Sequence, residues 1–356
     1  MKKKLSLFLA AAMVVSALAG CGPRNAGSSS SASHSQSSSA SSGTSSSGGH
    51  TAPRFMALSG PTGVGAAKMM ADDAYAVEHG GQTTDGKGVA TGSAVVAAEN
   101  KEVTDALVNG SVDIAAIATN VAANLAAKTD GAIQVLAVNT LGVLYILEKG
   151  DTVQSMADLA GKTVYAAGQG ANPEYILNYL LTQNGVDPAK VDIQWMTAQE
   201  VTAKMASSER AICMLPVPAA TALMVKDPGV REALSLSDQW DKLDQGPLPM
   251  GCVVARTDYI EENPQGVENF LMAYEASITY MKDEANQSEA AKLVAQYGIA
   301  PSEAVAVKAI PQCNLTFLTG EDMKLTLEEY YQVLFQANPG AIGGAMPYDS
   351  FYYGVA

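Results

Sequence analysis

The sequence predicts an α/β protein of two lobes, each a parallel-rich sheet flanked by helices. Three observations predict it. Apolar strand-like runs alternate with helical periods from Phe55 almost to the C-terminus. The run over residues 112–118 is apolar but for Asp113, which suits a strand buried on both faces of a parallel sheet. The stretch from Pro53 to Ala356, roughly 300 residues, is long for a single core.

The elements follow in order. Residues 55–58 read as a strand, and residues 61–79 carry Val64, Ala67, Lys68 and Ala71 at helical spacing, closed by His79-Gly-Gly81. Residues 94–98 form a second strand, 102–109 a helix, 112–118 a strand, 120–128 a helix, and 133–138 and 144–147 further strands. A helical turn at 156–161 precedes a strand at 162–167 and a helix at 173–183 stopped by Asn184-Gly185. Strands at 191–196, 211–215 and 253–255 alternate with helices at 198–206 and 219–225. From Pro264 the chain is mostly helical, over 269–282, 288–297, 301–310 and 321–336.

The N-terminus carries a different message. Lys2, Lys3 and Lys4 precede an apolar run over residues 5–18, the layout of a secretory signal. The run is shorter than the roughly 20 residues a bilayer span requires. Leu18-Ala-Gly-Cys21 follows it and looks like a bacterial lipobox, implying cleavage after residue 20 and acylation of Cys21, palmitate included. Residues 28–49 are almost wholly Ser, Gly and Ala, too poor in apolar surface to fold. They read as a flexible tether with a reach on the order of 25 Å. The expected organisation is a signal peptide over 1–20 and a lipidated tether over 21–52, followed by the folded region. This places the protein at the extracytoplasmic face of the cell membrane.

Net charge is −14, and −17 once the three leader lysines are removed. So acidic a chain offers no footprint for nucleic acid and no attraction to anionic lipid. Membrane association then falls to Cys21. Cys213, Cys252 and Cys313 match no zinc spacing and read as small buried residues, with one disulfide among them left open. Of three histidines, His34 and His50 lie in the tether and only His79 in the folded region. That removes the usual base for nucleophilic catalysis and any histidine-rich metal site. Gly60 to Gly65 is no phosphate loop, since Lys68 comes too late, and Pro173 spoils a dinucleotide reading of Gly168-Gln-Gly170. No cofactor, metal or catalytic residue is expected.

Several stretches resemble the solute-binding proteins of ABC importers, in particular the group of nitrate, sulfonate and taurine binders and the binder of the thiamine pyrimidine precursor. They are Leu58-Ser-Gly-Pro-Thr-Gly63, Gly110-Ser-Val-Asp-Ile-Ala-Ala116, Asp158-Leu-Ala-Gly-Lys-Thr163, Gly168-Gln-Gly-Ala-Asn-Pro-Glu174, Leu215-Pro-Val-Pro218 and Tyr259-Ile-Glu-Glu-Asn-Pro264. The resemblance implies the periplasmic-binding-protein type II fold with the ligand in a cleft between lobes. Lobe one would comprise 53–143 and 252–356, and lobe two 144–251. It also implies a monomeric binder that hands its solute to an ABC permease with its ATPase. Two rival readings remain: an enzyme on a borrowed binder fold, and a sensor or scaffold lipoprotein without transport.

In such sheets ligands bind beyond the C-terminal strand ends. Ser59, Gly60, Thr62 and Gly63 after the first strand are the leading candidates, with glycines permitting close approach and Thr62 a candidate helix cap. Asn100, Thr119, Asn120 and Asn139 follow later strands of lobe one. Gly168, Gln169, Asn172, Glu174 and Pro216 follow strands of lobe two. A plain capping role suits each of the Asn and Thr residues equally well. These loops hold no Arg or Lys but contain Glu99 and Glu174. That favours a neutral or cationic ligand, heteroaromatic ones among them, over a sulfonate, nitrate or taurine-type anion. Long side chains from elsewhere, such as Arg54 or Arg256, would reverse this by reaching in.

Overall fold

Strands form where the sequence offers β-branched and small apolar residues free of helix caps. Ile114–Ala118 contains no polar residue and every position is buried, so it occupies the interior of a sheet. A computed structural model describes residues 52–72, 75–79, 82–84 and 92–355. The leader, Cys21 and the Ser-rich segment lie outside them.

The strands are β1 (Arg54–Leu58), β2 (Tyr75–His79), β3 (Gln82–Thr84), β4 (Gly92–Ala97), β5 (Ile114–Ala118), β6 (Ile133–Thr140), β7 (Leu144–Lys149), β8 (Thr163–Ala166), β9 (Asp192–Trp195), β10 (Ala211–Pro216), β11 (Arg231–Ser235), β12 (Gly251–Arg256) and β13 (Leu315–Leu318). Among the described residues they make an eight-stranded sheet, β13-β6-β12-β5-β1-β4-β2-β3, and a five-stranded sheet, β11-β7-β10-β8-β9. In the larger, β1, β2, β4, β5 and β6 run one way, and β3, β12 and β13 run against them. In the smaller, only β7 opposes the rest. The chain leaves the larger sheet after Thr140, enters the smaller at Leu144, and returns to insert β12 between β5 and β6.

Helices cover the sheets. On the larger, Phe55 meets Phe270 and Tyr274 of the helix Pro264–Lys282, with ring centroids 5.4 and 6.2 Å away. Each such fully buried aromatic contributes about 1.5–3 kcal/mol by leaving water. Trp240, on the helix Leu236–Asp241, is wholly buried between Tyr179 and Tyr330 at 5.5 and 5.8 Å. Tyr179 belongs to the helix after β8 and Tyr330 to the helix Gly320–Ala337, so this stack fastens them together.

The structure corrects the sequence reading in several places. The helical period over 61–79 is broken. Pro61–Val64 and Ala67–Met70 are separate short helices, and Tyr75–His79 is β2. The break has a cause. Ser277 Oγ donates to Gly65 O (2.6 Å) and accepts from Met69 N (3.0 Å), so its hydroxyl stands where the bond between residues 65 and 69 would lie. β11, β13 and the helices Leu236–Asp241 and Thr257–Glu262 had no clear signal in the sequence. Cys213, Cys252 and Cys313 are all free and buried, so the open question of a disulfide among them is answered.

Candidate functional site

β5 and β8 each hand the chain to a helix, and the first residues of those helices meet. Asn172 opens the helix Asn172–Gln183 and has no exposed surface. Its Nδ2 donates to Thr119 Oγ1 (2.9 Å) and to Met250 O (2.7 Å). Its Oδ1 accepts from Asn120 N (3.3 Å) and from Tyr330 Oη (2.9 Å). Two donations and two acceptances exhaust a primary amide. Thr119 Oγ1 in turn donates to Pro249 O (2.8 Å). The strand ends of both sheets are thereby joined through one side chain.

The loop before Asn172 is shaped by glycine. Gly168 has φ +98°, and a Cβ there would stand 2.5 Å from Pro173 Cγ. Glu174 Oε2 accepts from Gly170 N (2.6 Å), so this carboxylate serves its own loop. Gln169 is exposed, and Pro216 ends β10 half-buried.

A second cluster lies on the larger sheet. Asn139, in β6, has no exposed surface, and its Nδ2 donates to Thr62 O (3.0 Å) and Tyr274 Oη (2.8 Å). Gly251 opens β12 beneath it. A Cβ at that position would lie 2.6 Å from Asn139 Oδ1 and 2.9 Å from Thr62 Oγ1. Burial pushes the Tyr274 and Tyr330 hydroxyls well above the usual range, so both stay protonated.

Thr62 as a helix cap is corrected. Gly60 holds the cap position of the four-residue helix Pro61–Val64, and no side chain caps it. Gly60 has φ +95° with open space around its missing Cβ, whereas a Cβ on Gly63 would lie 2.3 Å from Leu58 O. Ser59 N donates to Ala97 O (2.8 Å), and Asn100 Oδ1 accepts from Ala118 N (3.3 Å). Both residues tie neighbouring strand ends together.

Three buried oxygens at these strand ends receive no hydrogen bond from any described group: Asn120 Oδ1, Asn139 Oδ1 and Thr140 Oγ1. Met250, Gly251, Tyr274 and Tyr330 escaped the sequence reading. The glycine opening β12 was the one visible hint. Arg54 and Arg256 do not reach this edge. Arg54 begins β1 and pairs with Asp113, and Arg256 ends the opposed β12 and pairs with Asp258. Among the described residues no cluster of His, Cys, Asp and Glu is arranged to hold a metal ion, and no helix is long and apolar enough to cross a membrane.

Residues 95–290 match the family model described as NMT1/THI5 like. A search of curated proteins gave no match. Among solved structures, an ABC transporter protein from Parabacteroides distasonis aligns at TM-score 0.67 and 21% identity, over 85% of this chain and 98% of that one. The periplasmic aliphatic sulphonate binding protein SsuA from Escherichia coli aligns at 0.63 and 16% identity, over 82% and 93%. The ligand binding component of an ABC-type import system from Staphylococcus aureus, with zinc bound, aligns at 0.59 and 14% identity, over 84% and 95%. At these identities the likeness is one of fold, the periplasmic-binding-protein type II architecture. The family match spans more than half of the sequence, and the chain belongs to the NMT1/THI5-like family.

Proposed function

We propose that this chain is the solute-binding component of an ABC importer and that it captures a small neutral or cationic molecule without transforming it. Lobe one, residues 53–143 and 252–356, and lobe two, residues 144–251, would close about two crossings near residues 139–147 and 247–254. The solute stabilises the closed state because only there does it touch both lobes. A permease with its ATPase then receives it. Lipid on Cys21 holds the protein at the extracytoplasmic face, and the Ser-rich tether lets the monomer turn.

One observation carries the reading. Strand-end residues of both sheets, Thr119 and Asn120 on one side and Asn172 on the other, meet in direct hydrogen bonds. This is the place where an α/β protein gathers a ligand. Family membership supports it, as do the names of the sulphonate binding protein and of the ligand binding component of an import system. The SsuA name favours a second reading, in which the solute is a sulfonate or related anion. In both readings the strand-end residues from Ser59 to Pro216 named above line the site, with Asn172, whose amide is fully bonded, holding its two sides together.

A thermal-shift screen of the mature chain against amines, heteroaromatic compounds, sulfonates and inorganic anions tests the proposal. A solute at 100 times its Kd raises stability by about 2.7 kcal/mol. A response to any class supports capture, and the class that responds separates the two readings. No response across the screen sinks both. Cys21→Ser should move the protein from the membrane fraction to the medium, and retention in membranes would contradict the anchor.

A further inference from the structure

The orientation of two buried amides says what kind of chemical group the site accepts. Asn120 Nδ2 donates to Gly170 O (3.5 Å) and Ala341 O (3.3 Å). Asn139 Nδ2 donates to Thr62 O (3.0 Å). A backbone carbonyl can only accept, so in both residues the nitrogen must be the end that is pinned. Rotating either amide by half a turn would set oxygen against carbonyl oxygen. The free ends are therefore Asn120 Oδ1 and Asn139 Oδ1, both on residues with no exposed surface and without a donor among the described groups. Thr140 Oγ1, the next residue on the same strand end, is in the same condition.

Buried acceptors without partners are rare enough in folded proteins that each calls for an account. All three lie at strand ends, where the ligand is expected: Asn120 follows β5, and Asn139 and Thr140 end β6. A fourth such oxygen, Tyr352 Oη, sits elsewhere, on a segment bridged to Val135 near the start of β6. The amide of Asn172 provides the contrast, because its four bonds leave nothing to offer.

Resting on the proposed solute-binding role of these strand ends, we infer that the recognised part of the solute is a hydrogen-bond donor, presented to Asn120 Oδ1 and Asn139 Oδ1 with Thr140 Oγ1 beside them. An ammonium, amidinium, amide or ring N–H fits this requirement. A sulfonate, nitrate or carboxylate presents only acceptors, and its oxygens would face the two amide oxygens with no proton between them.

Calorimetric titration of the mature chain with probes sharing one carbon frame tests this. Benzylamine and benzamidine carry donors, while benzoate and benzenesulfonate carry acceptors. The donor probes should bind at least tenfold more tightly. Tighter binding of the anions overturns the donor assignment and leaves solute capture standing. Silence from all four overturns both. A Thr140→Val chain locates the contact independently. It removes an oxygen that has no partner, so its melting temperature should hold or rise. Its affinity for the donor probe should fall about fivefold. An unchanged affinity overturns the placement at the end of β6.

Discussion

The outer ends of the two sheets are fastened by charges and the facing ends by neutral groups. At the outer end of the larger sheet, Arg54 Nε and its backbone N both donate to Asp113 Oδ2, at 3.0 and 2.9 Å. At the outer end of the smaller, Glu148 is only 2% exposed and accepts from Arg231 Nη2 (2.6 Å), Thr152 N and Oγ1 (2.8 and 2.7 Å) and Val153 N (3.1 Å). At the facing ends the buried polar groups include the neutral Asn120, Asn139, Asn172, Thr119 and Thr140. Stripping water from a charge costs far more than stripping it from an amide. The edge proposed to open and close thus carries groups that dehydrate cheaply, while the permanent edges hold the ions.

This contrast is most exposed to attack at Asn172. Asn172→Ala deprives Tyr330, Thr119, Met250 O and Asn120 N of a partner at once and should lower stability by about 3 kcal/mol in urea denaturation. A loss well below about 1 kcal/mol would mean that Asn172 does not hold the facing ends together. Next comes Gly251→Ala. Its Cβ would enter the space of Asn139 Oδ1 and Thr62, at an expected cost of about 2 kcal/mol, read by thermal melting.

On the charged side the effects are smaller. Glu148→Gln should cost about 1–2 kcal/mol at neutral pH. Burial alone would raise the Glu148 pKa, but the Thr152, Val153 and Arg231 hydrogen bonds outweigh it and hold the carboxyl below the ordinary glutamate value of 4.5. Its stabilising contribution is therefore complete above that value and disappears as pH falls through the lower, folded one. The gap between wild type and Glu148→Gln should close on acidification below about pH 4, and a gap that widens there would reverse the assignment. Smallest of all is Arg256→Ala. Its partner Asp258 is largely exposed, and the loss should stay within about 0.5 kcal/mol.

Much of the fold was legible because most elements carry their own signals. The apolar run of β5, the Asn184-Gly185 stop and the alternation of strands and helices each depend on neighbouring residues alone. What was hidden depends on distant ones. The helix expected through Gly65 is interrupted by Ser277, more than two hundred residues away. Leu315–Leu318 becomes a strand through its pairing with β6, and Arg231–Ser235 through its pairing with β7. The candidate site was legible to the same extent. Topology pointed to the strand ends and so to Asn120, Asn139 and Asn172. Nothing local could reveal that one of these amides is saturated by Tyr330 and Met250 and the other two are not. That difference arises from the carbonyls of Gly170, Ala341 and Thr62 and from a helix near the C-terminus.

The three interior cysteines have a practical bearing on how any motion of this chain could be watched. Burial pushes the Cys213 and Cys313 thiols up to about 12, and Cys252 higher still, so at neutral pH almost no thiolate exists to attack an electrophile. They should ignore maleimide dyes and air alike while the chain stays folded. With Cys21 exchanged for Ser, a fluorophore pair placed on two introduced surface cysteines would report separation across the strand ends without stripping out the native thiols.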